Sequence, residues 1–239
     1  MVRSGASRAK ARPRRRRGLV VAIDGPGGSG KSTVARGVAR ALGLRRLDTG
    51  AMYRAVTLEA LRAGIDPSDG QRLAQVARRL QFDFGPSGIL VDGKPAGRVI
   101  RAPAVSAAVS EVSAHPAVRR ELVRRQREMM STGGVVAEGR DIGTVVAPDA
   151  DVKVFLTASP GERARRRHQE LEKAGVRVGY AKLKRDLELR DALDSKRAVS
   201  PLRPADDAHL IDSTGMTPRR VVAEIARLAR ATSEGRRAR

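Results

Sequence analysis

The chain has 239 residues, no cysteine, and 48 Lys plus Arg against 26 Asp plus Glu, a formal charge of +22. Such a field favours anionic partners, while the lack of cysteine excludes disulfides and thiolate metal sites and points to a reducing compartment, the cytoplasm. No apolar run is long enough for a membrane span, and three Phe, two Tyr and no Trp exclude the aromatic platforms on which single-stranded nucleic acid stacks.

Residues 1–17 hold seven Arg, one Lys and no acid, contributing +8 and leaving +14 for the rest. With no apolar periodicity they are expected to form a disordered basic arm, capable at most of weak, nonspecific contact with nucleic acid. Their composition also resembles a transit peptide. GLVVAID (18–24) is an unbroken apolar run ending in Asp-Gly, as expected of a parallel strand buried on both faces. KSTVARGVARAL (31–42) has helical periodicity and stops at Gly43; RRLDT (45–49) leads into a second helix, GAMYRAVTLEALRAG (50–64). From 66 to 104 the texture changes: a helical piece, QRLAQVARRL, gives way to QFDF and ILVDGKPAGRVI, where Asp92-Gly93 reads as a hairpin turn. Helical pattern resumes over 105–130, broken at Pro116. Buried strands recur as VVAEG (135–139), VKVFLTA (152–158) and HLIDST (209–214), with helices over 160–174, 180–195 and PRRVVAEIARLARA (218–231). The C-terminal SEGRRAR (233–239) reads as a frayed, disordered tail. Alternating buried strands and helices predict an α/β fold with a doubly wound parallel sheet, its ligands beyond the strand C-termini.

GPGGSGKS, Gly25 to Ser32, matches the phosphate-binding pattern G-x-x-x-x-G-K-[ST] and lies between a buried strand and a helix, as its mechanism requires. The loop comprises Gly25, Pro26, Gly27, Gly28, Ser29, Gly30, Lys31 and Ser32, followed by Thr33. Its glycines let the backbone amides turn inward on phosphate oxygens; Lys31 reaches the β- and γ-phosphates, and the Ser32 hydroxyl is placed to ligate Mg²⁺. The chain holds 40 Arg and eight Lys, yet Lys stands where a compact point charge is wanted. The three His (115, 168, 209) fall outside every motif. Arginines stand instead at the predicted mouth of the sheet: Arg54, Arg140, Arg190 and Arg197. In RDALDSKR (190–197), Arg190, Asp194 and Arg197 share one helix face, either a solvated lattice of ion pairs or a clamp around an anion.

IDGPGGSGKST, LDTGAMYR, the insert near 66–104, EGRDIGTVV with VKVFLTAS, and RDALDSKRAVSPL together resemble the bacterial cytidylate kinase family over roughly residues 18–230. The resemblance implies a P-loop kinase with a five-stranded parallel sheet: a core of 18–65, 132–160 and 205–232, an acceptor-binding insert with its helices over 66–131, and a helical lid over 161–204. It implies transfer of the ATP γ-phosphoryl group to CMP or dCMP with Mg²⁺. Apart from the resemblance, a monomer without membrane attachment is expected, although the sequence itself carries no signal of oligomeric state. Carried over residue by residue, Thr49, Ser110, Arg119 and Asp141 fall at cytosine-contacting positions. Arg54, Arg140 and Arg197 fall on the acceptor phosphate, and Arg190 and Asp194 near ribose and phosphates. Arg163, Arg166 and Arg167 lie where the lid covers ATP. Lys31, Arg140, Arg190 and Arg197 are the expected catalytic residues, and RDALDSKR becomes a clamp. The family often carries a further charge between Asp191 and Asp194, where this chain has Leu193. Two other readings stay open from the residues themselves. One is a P-loop kinase acting on UMP, shikimate or dephospho-coenzyme A, with Asp48 or Asp141 as base for a hydroxyl acceptor. The other is an ATP-dependent nucleic-acid-binding protein anchored by the arm.

Overall fold

A computed structural model of the chain describes residues 17–85, 88–173 and 175–237. Strands β1 (Val20–Asp24), β2 (Arg45–Asp48), β6 (Val135–Gly139), β7 (Val152–Thr157) and β8 (His209–Asp212) form one parallel sheet in the order β2-β6-β1-β7-β8. β1 lies at its centre, Ala22 opposite Ala137 of β6 on one side and Lys153 of β7 on the other. Every residue of β1 and β6 is buried, which is why both read as unbroken apolar runs. The chain reverses direction of winding beside β1, so the crevice beyond the strand C-termini opens there.

Helix α1 (Lys31–Leu42) turns Val34, Ala35, Val38 and Ala39 onto the sheet and ends at Gly43, whose φ of 65° suits a residue without Cβ. It packs against α8 (Pro218–Arg237) through Val221, Ile225 and Ala229, so closely that a Cβ on Gly37 would sit 2.5 Å from Val222. On the other side, α2 (Thr49–Arg62), α3 (Gly70–Arg79), α4 (Pro103–Ala114) and α5 (Pro116–Met130) enclose a second core around Met52, Leu73, Ile100 and Leu122. This core carries a separate antiparallel sheet of β3 (Phe82–Gly85), β4 (Gly88–Val91) and β5 (Lys94–Pro95). Asp92 (φ 49°) and Gly93 (φ 74°) make the β4–β5 turn, both left-handed as a two-residue hairpin requires. Helices α6 (Pro160–Lys173) and α7 (Tyr180–Lys196) pack on each other above the sheet mouth.

One expectation needs correction. The frayed tail over 233–239 is helical through Arg237, because α8 runs on and Arg236 pairs with Asp151 at 2.7 Å and donates to the Arg17 carbonyl. The basic arm lies outside the described residues except Arg17, which donates to the Asp149 carboxylate at 2.7 Å. Among the described residues no helix is long and apolar enough to cross a membrane.

Candidate active site

The loop between β1 and α1 curls because Gly25, Gly28 and Gly30 take positive φ. At Gly28 the need is also spatial, since a Cβ would meet the Arg163 carbonyl at 2.7 Å. Lys31 is buried, its ammonium donating to the Pro26 carbonyl (2.6 Å) and the Ser29 hydroxyl (3.3 Å). Burial first and then the nearby Arg140 press its pKa well below the usual lysine range. An added anion would relieve that penalty.

Next to the loop, the Ser32 hydroxyl donates to Glu138 Oε2 at 2.7 Å, while Glu138 Oε1 has no hydrogen-bond partner. Glu138 ends β6. Burial and then Asp48 push its carboxyl up to about 7. A hydroxyl and a carboxylate oxygen side by side are hard ligands suited to Mg²⁺, which needs only one or two protein ligands when phosphates supply others. Glu138 was not singled out by its spacing. Its place at a central strand's C-terminus was the available signal.

A cavity of about 210 Å³ runs from the loop to α4 and α5, with eight cationic and five acidic side chains in its lining. Arg54, Arg140, Arg190 and Arg197 all face it. Arg54 donates to the Ser106 hydroxyl at 2.9 Å, and burial with its cationic neighbours, Arg190 foremost, lowers it to about 9. Arg190 is lowered to about 10 by burial and then by Arg140. Arg190 Nε and Arg197 Nη2 are buried without a partner. Buried, mutually repelling guanidiniums with two nitrogens left without a partner define a place for an anion.

Asp194 organises this cluster. It is 3 % exposed, accepts from Arg140 Nε at 2.9 Å, and lies 3.8 Å from Arg197. Burial alone would raise its pKa, but Arg140, Arg190 and Arg197 outweigh it and hold the carboxyl below its usual range. RDALDSKR is therefore no solvated lattice. Leu193, where the family often has a charge, is 52 % exposed and touches none of this.

At the far end of the cavity Arg119 and Asp141 form a buried ion pair; Arg119 also donates to the Ser113 carbonyl (3.1 Å) and sits over the Tyr53 ring, 5.3 Å from its centroid. Arg119 Nε has no partner. Thr49 lines the cavity, its hydroxyl donating to the Glu138 carbonyl at 2.7 Å. Ser110 does not line it; one turn on, Ser113 does, and its hydroxyl donates to the Ser110 carbonyl. Asp48 caps α2 by accepting from the Ala51 amide and also accepts from Arg101. His115 bonds the Pro67 carbonyl, away from this chemistry.

Arg163, Arg166 and Arg167, all on α6, divide. Arg167 faces the first cavity. Arg163 faces none: it donates to the Ala158 and Gly27 carbonyls and pairs with Asp191, which in turn accepts from the Gly27 amide at 3.1 Å. It fastens α6 and α7 to the loop. Arg166 lines a second cavity of about 360 Å³ with Ser29, Thr33, Ser213, Met216 and Pro218. The 213–218 segment of that wall carried no recognisable motif, although it follows a strand end, where the winding rule puts ligands.

Asp24, the last residue of β1, is 4 % exposed, and burial raises its carboxyl to about 6 against the pull of two amides and of Lys31. Together with Glu138 it retains a proton in the folded protein that the unfolded chain has already released. Proton release on unfolding makes the contribution of these two carboxyls to stability fall as pH rises from about 4 to about 7. The urea midpoint of the ligand-free protein is accordingly expected to be lower at about pH 7.5 than at about pH 5.5. A midpoint that climbs over this interval would contradict the assignment of these two carboxyls.

Comparison with known proteins accords with this geometry. The family model described as cytidylate kinase matches residues 21–231. A cytidylate kinase of Mycolicibacterium paratuberculosis is 52 % identical over 221 residues, covering 90 % of this chain and 97 % of that protein. One from Limosilactobacillus reuteri is 48 % identical over 223 residues, covering 91 % and 98 %. Among solved structures, an uncharacterized protein from Eubacterium ventriosum superposes with a TM-score of 0.51 at 12 % identity, covering 89 % of this chain and 98 % of that one, a likeness of fold alone.

Proposed function

We infer the reaction from one premise: the chain belongs to the cytidylate kinase family. It is a phosphotransferase with a phosphate group as acceptor, and it moves the γ-phosphoryl group of ATP to CMP or dCMP. One observation supports the placement of the acceptor and the transferring phosphate in the first cavity: a continuous lining joins the phosphate-binding loop, the arginines with partnerless nitrogens and the Arg119–Asp141 pair.

In this reading the loop amides and Lys31 hold the β- and γ-phosphates. Arg54, Arg140 and Arg197 grip the acceptor phosphate, and Arg190 stands between the two groups. Phosphoryl transfer asks for little covalent help from the protein; positioning and charge neutralisation carry it. A phosphate acceptor is already ionised at neutral pH and needs no general base. Asp48, the base a hydroxyl acceptor such as shikimate would want, is occupied by the Ala51 amide and Arg101. Asp194 keeps Arg140 and Arg197 at their spacing and faces the ribose. Arg119 and Asp141 read cytosine, with Thr49 and the Ser110–Ser113 turn beside them. The second cavity, walled by Arg166 and the 213–218 segment, takes the adenosine end of ATP. Ser32 and Glu138 would hold Mg²⁺, which when bound neutralises phosphate charge. The cysteine-free composition supports a cytoplasmic enzyme, proposed here as a monomer whose basic arm touches nucleic acid only weakly.

Steady-state ADP release measured across all nucleoside monophosphates and their deoxy forms tests this reading. CMP and dCMP are expected to head the series. Faster release with UMP would move the acceptor assignment, and release only with a hydroxyl acceptor would overturn it.

A further inference from the structure

We propose that Asp24 is a positioning residue for acceptor recognition: by capping the turn after Asp141 from a neighbouring strand, it frees the Asp141 carboxylate to face the substrate. The inference rests on the reading that Asp141 contacts cytosine.

The chain after β6 makes a tight π-type turn over Ile142–Val146, and Asp141 stands at its N-cap position. There an Asp ordinarily turns its carboxylate back onto the free amides of its own first turn, a contact that stabilises helix starts. Asp141 makes no such contact. The amides are instead taken by Asp24: Ile142 N–H donates to Oδ1 at 2.8 Å and Gly143 N–H to Oδ2 at 2.7 Å. Both Asp24 oxygens are thus used, on a side chain 4 % exposed and more than a hundred residues away in sequence. The fit is close, since a Cβ on Gly143 would lie 3.4 Å from Asp24 Oδ2.

Relieved of its local partners, the Asp141 carboxylate pairs with Arg119 across the cavity. Arg140, its chain neighbour, is fixed by the same turn and meets Asp194. β1 therefore does two things at one end: it launches the phosphate-binding loop, and it holds in place the dipeptide that meets the acceptor. Replacing Asp24 by Asn leaves one oxygen for two amides. The orphaned amide then competes for Asp141, drawing the carboxylate back to its own turn and out of the cavity.

The test is a double-mutant cycle on Asp24→Asn and Asp141→Ala, read as kcat/KM for CMP and for UMP with the KM for ATP alongside. Asp24→Asn is expected to lower the CMP-to-UMP ratio about tenfold, in keeping with the worth of a helix cap, and to leave the KM for ATP within about twofold. In the Asp141→Ala background the same change should alter the ratio by less than about twofold, because the carboxylate it acts through is gone. A merely structural role for Asp24 would lower CMP and UMP alike, or act in full in both backgrounds; either result overturns the proposal. If Asp141→Ala itself leaves the ratio unchanged, the cytosine reading falls and the proposal with it. If Asp141→Ala lowers the ratio and Asp24→Asn does not, the proposal alone falls.

A second measurement needs no Asp24 variant and so survives any folding defect. In Asp141→Ala, hydrogen exchange at the Ile142 and Gly143 amides should stay within about threefold of the parent rate, since Asp24 still caps them. An acceleration of about tenfold or more would show that Asp141 had been their partner and would overturn the proposal.

Discussion

Lys31→Ala is expected to lower turnover by roughly a thousandfold or more while the protein keeps its fold. The loss follows from where the ammonium sits: at the start of α1, buried, between the Pro26 carbonyl and the Ser29 hydroxyl at the floor of the phosphate loop. Charge that develops on the transferring group must be met by cations already in place, and removing one such group costs orders of magnitude in phosphoryl transfer. Stability responds differently. Burial and Arg140 press the lysine pKa down in the free protein, so its charge is a burden there, and deleting it removes a repulsion as well as two hydrogen bonds. The melting temperature should therefore move little against the collapse in rate. Lys31→Arg should not restore turnover, because a planar fork does not fit a space shaped for a point donor beside a backbone carbonyl. Near-parental turnover in a folded Lys31→Ala protein would end the assignment of this loop as the catalytic centre.

How much of this site was legible beforehand depends on whether the signal was local. The loop from Gly25 to Ser32 was, because its glycines, lysine and serine must be contiguous to wrap a phosphate. Strands β1, β6 and β7 were, because burial leaves an apolar run; β8, expected as a buried strand over 209–214, lies at the sheet edge with Leu210 69 % exposed, and β2 carries no apolar run either. The β4–β5 turn was legible at Asp92-Gly93, where two left-handed residues in succession allow few sequences. The arginines were harder. In a chain with 40 of them, composition cannot separate Arg197, buried with a bare Nη2, from Arg62, which pairs at the surface with Glu59. Their place at the predicted mouth of the sheet picked out Arg54, Arg140, Arg190 and Arg197, and the resemblance to a family gave them roles. The resemblance also pointed to Ser110, where the helix phase presents Ser113 to the cavity, and to Arg163, which ties α6 to the phosphate-binding loop. Asp24, Glu138 and Asp191 were missed for one shared reason: each acts on a partner over a hundred residues distant, through a register that the fold creates. The tail was misread as frayed because chain ends ordinarily are. Arg236, however, finds Asp151 on the far side of the sheet, and that pairing accompanies the last helical turns.

Base choice should depend on Asp141 and Arg119 far more than on any phosphate-gripping residue. Cytosine presents an exocyclic amine, which donates, beside N3 and O2, which accept; a carboxylate and a guanidinium held together are complementary to that pattern. The pair is already assembled in the protein, with Arg119 fixed by the Ser113 carbonyl and the Tyr53 ring and one nitrogen, Nε, left without a partner. Uracil reverses two adjacent groups: its O4 would face the carboxylate and its N3–H the guanidinium. A site that hydrogen-bonds one pattern rejects the other because its own buried groups are then left unpaired. At roughly 1–3 kcal/mol for each mispaired contact, two such contacts give a kcat/KM for CMP at least about a hundredfold above that for UMP. Asp141→Ala should shrink this ratio by lowering the CMP value, with UMP little affected, since the repulsion of O4 disappears along with the attraction of the amine. Arg54→Ala should lower both values together, because Arg54 bonds Ser106 and, in the proposed reading, grips the acceptor phosphate that both nucleotides share. The two variants measured side by side on both nucleotides separate the roles. Equal parental use of UMP and CMP would end the cytosine assignment, and a proportional loss on both acceptors in Asp141→Ala would move that residue from reading the base to holding the turn.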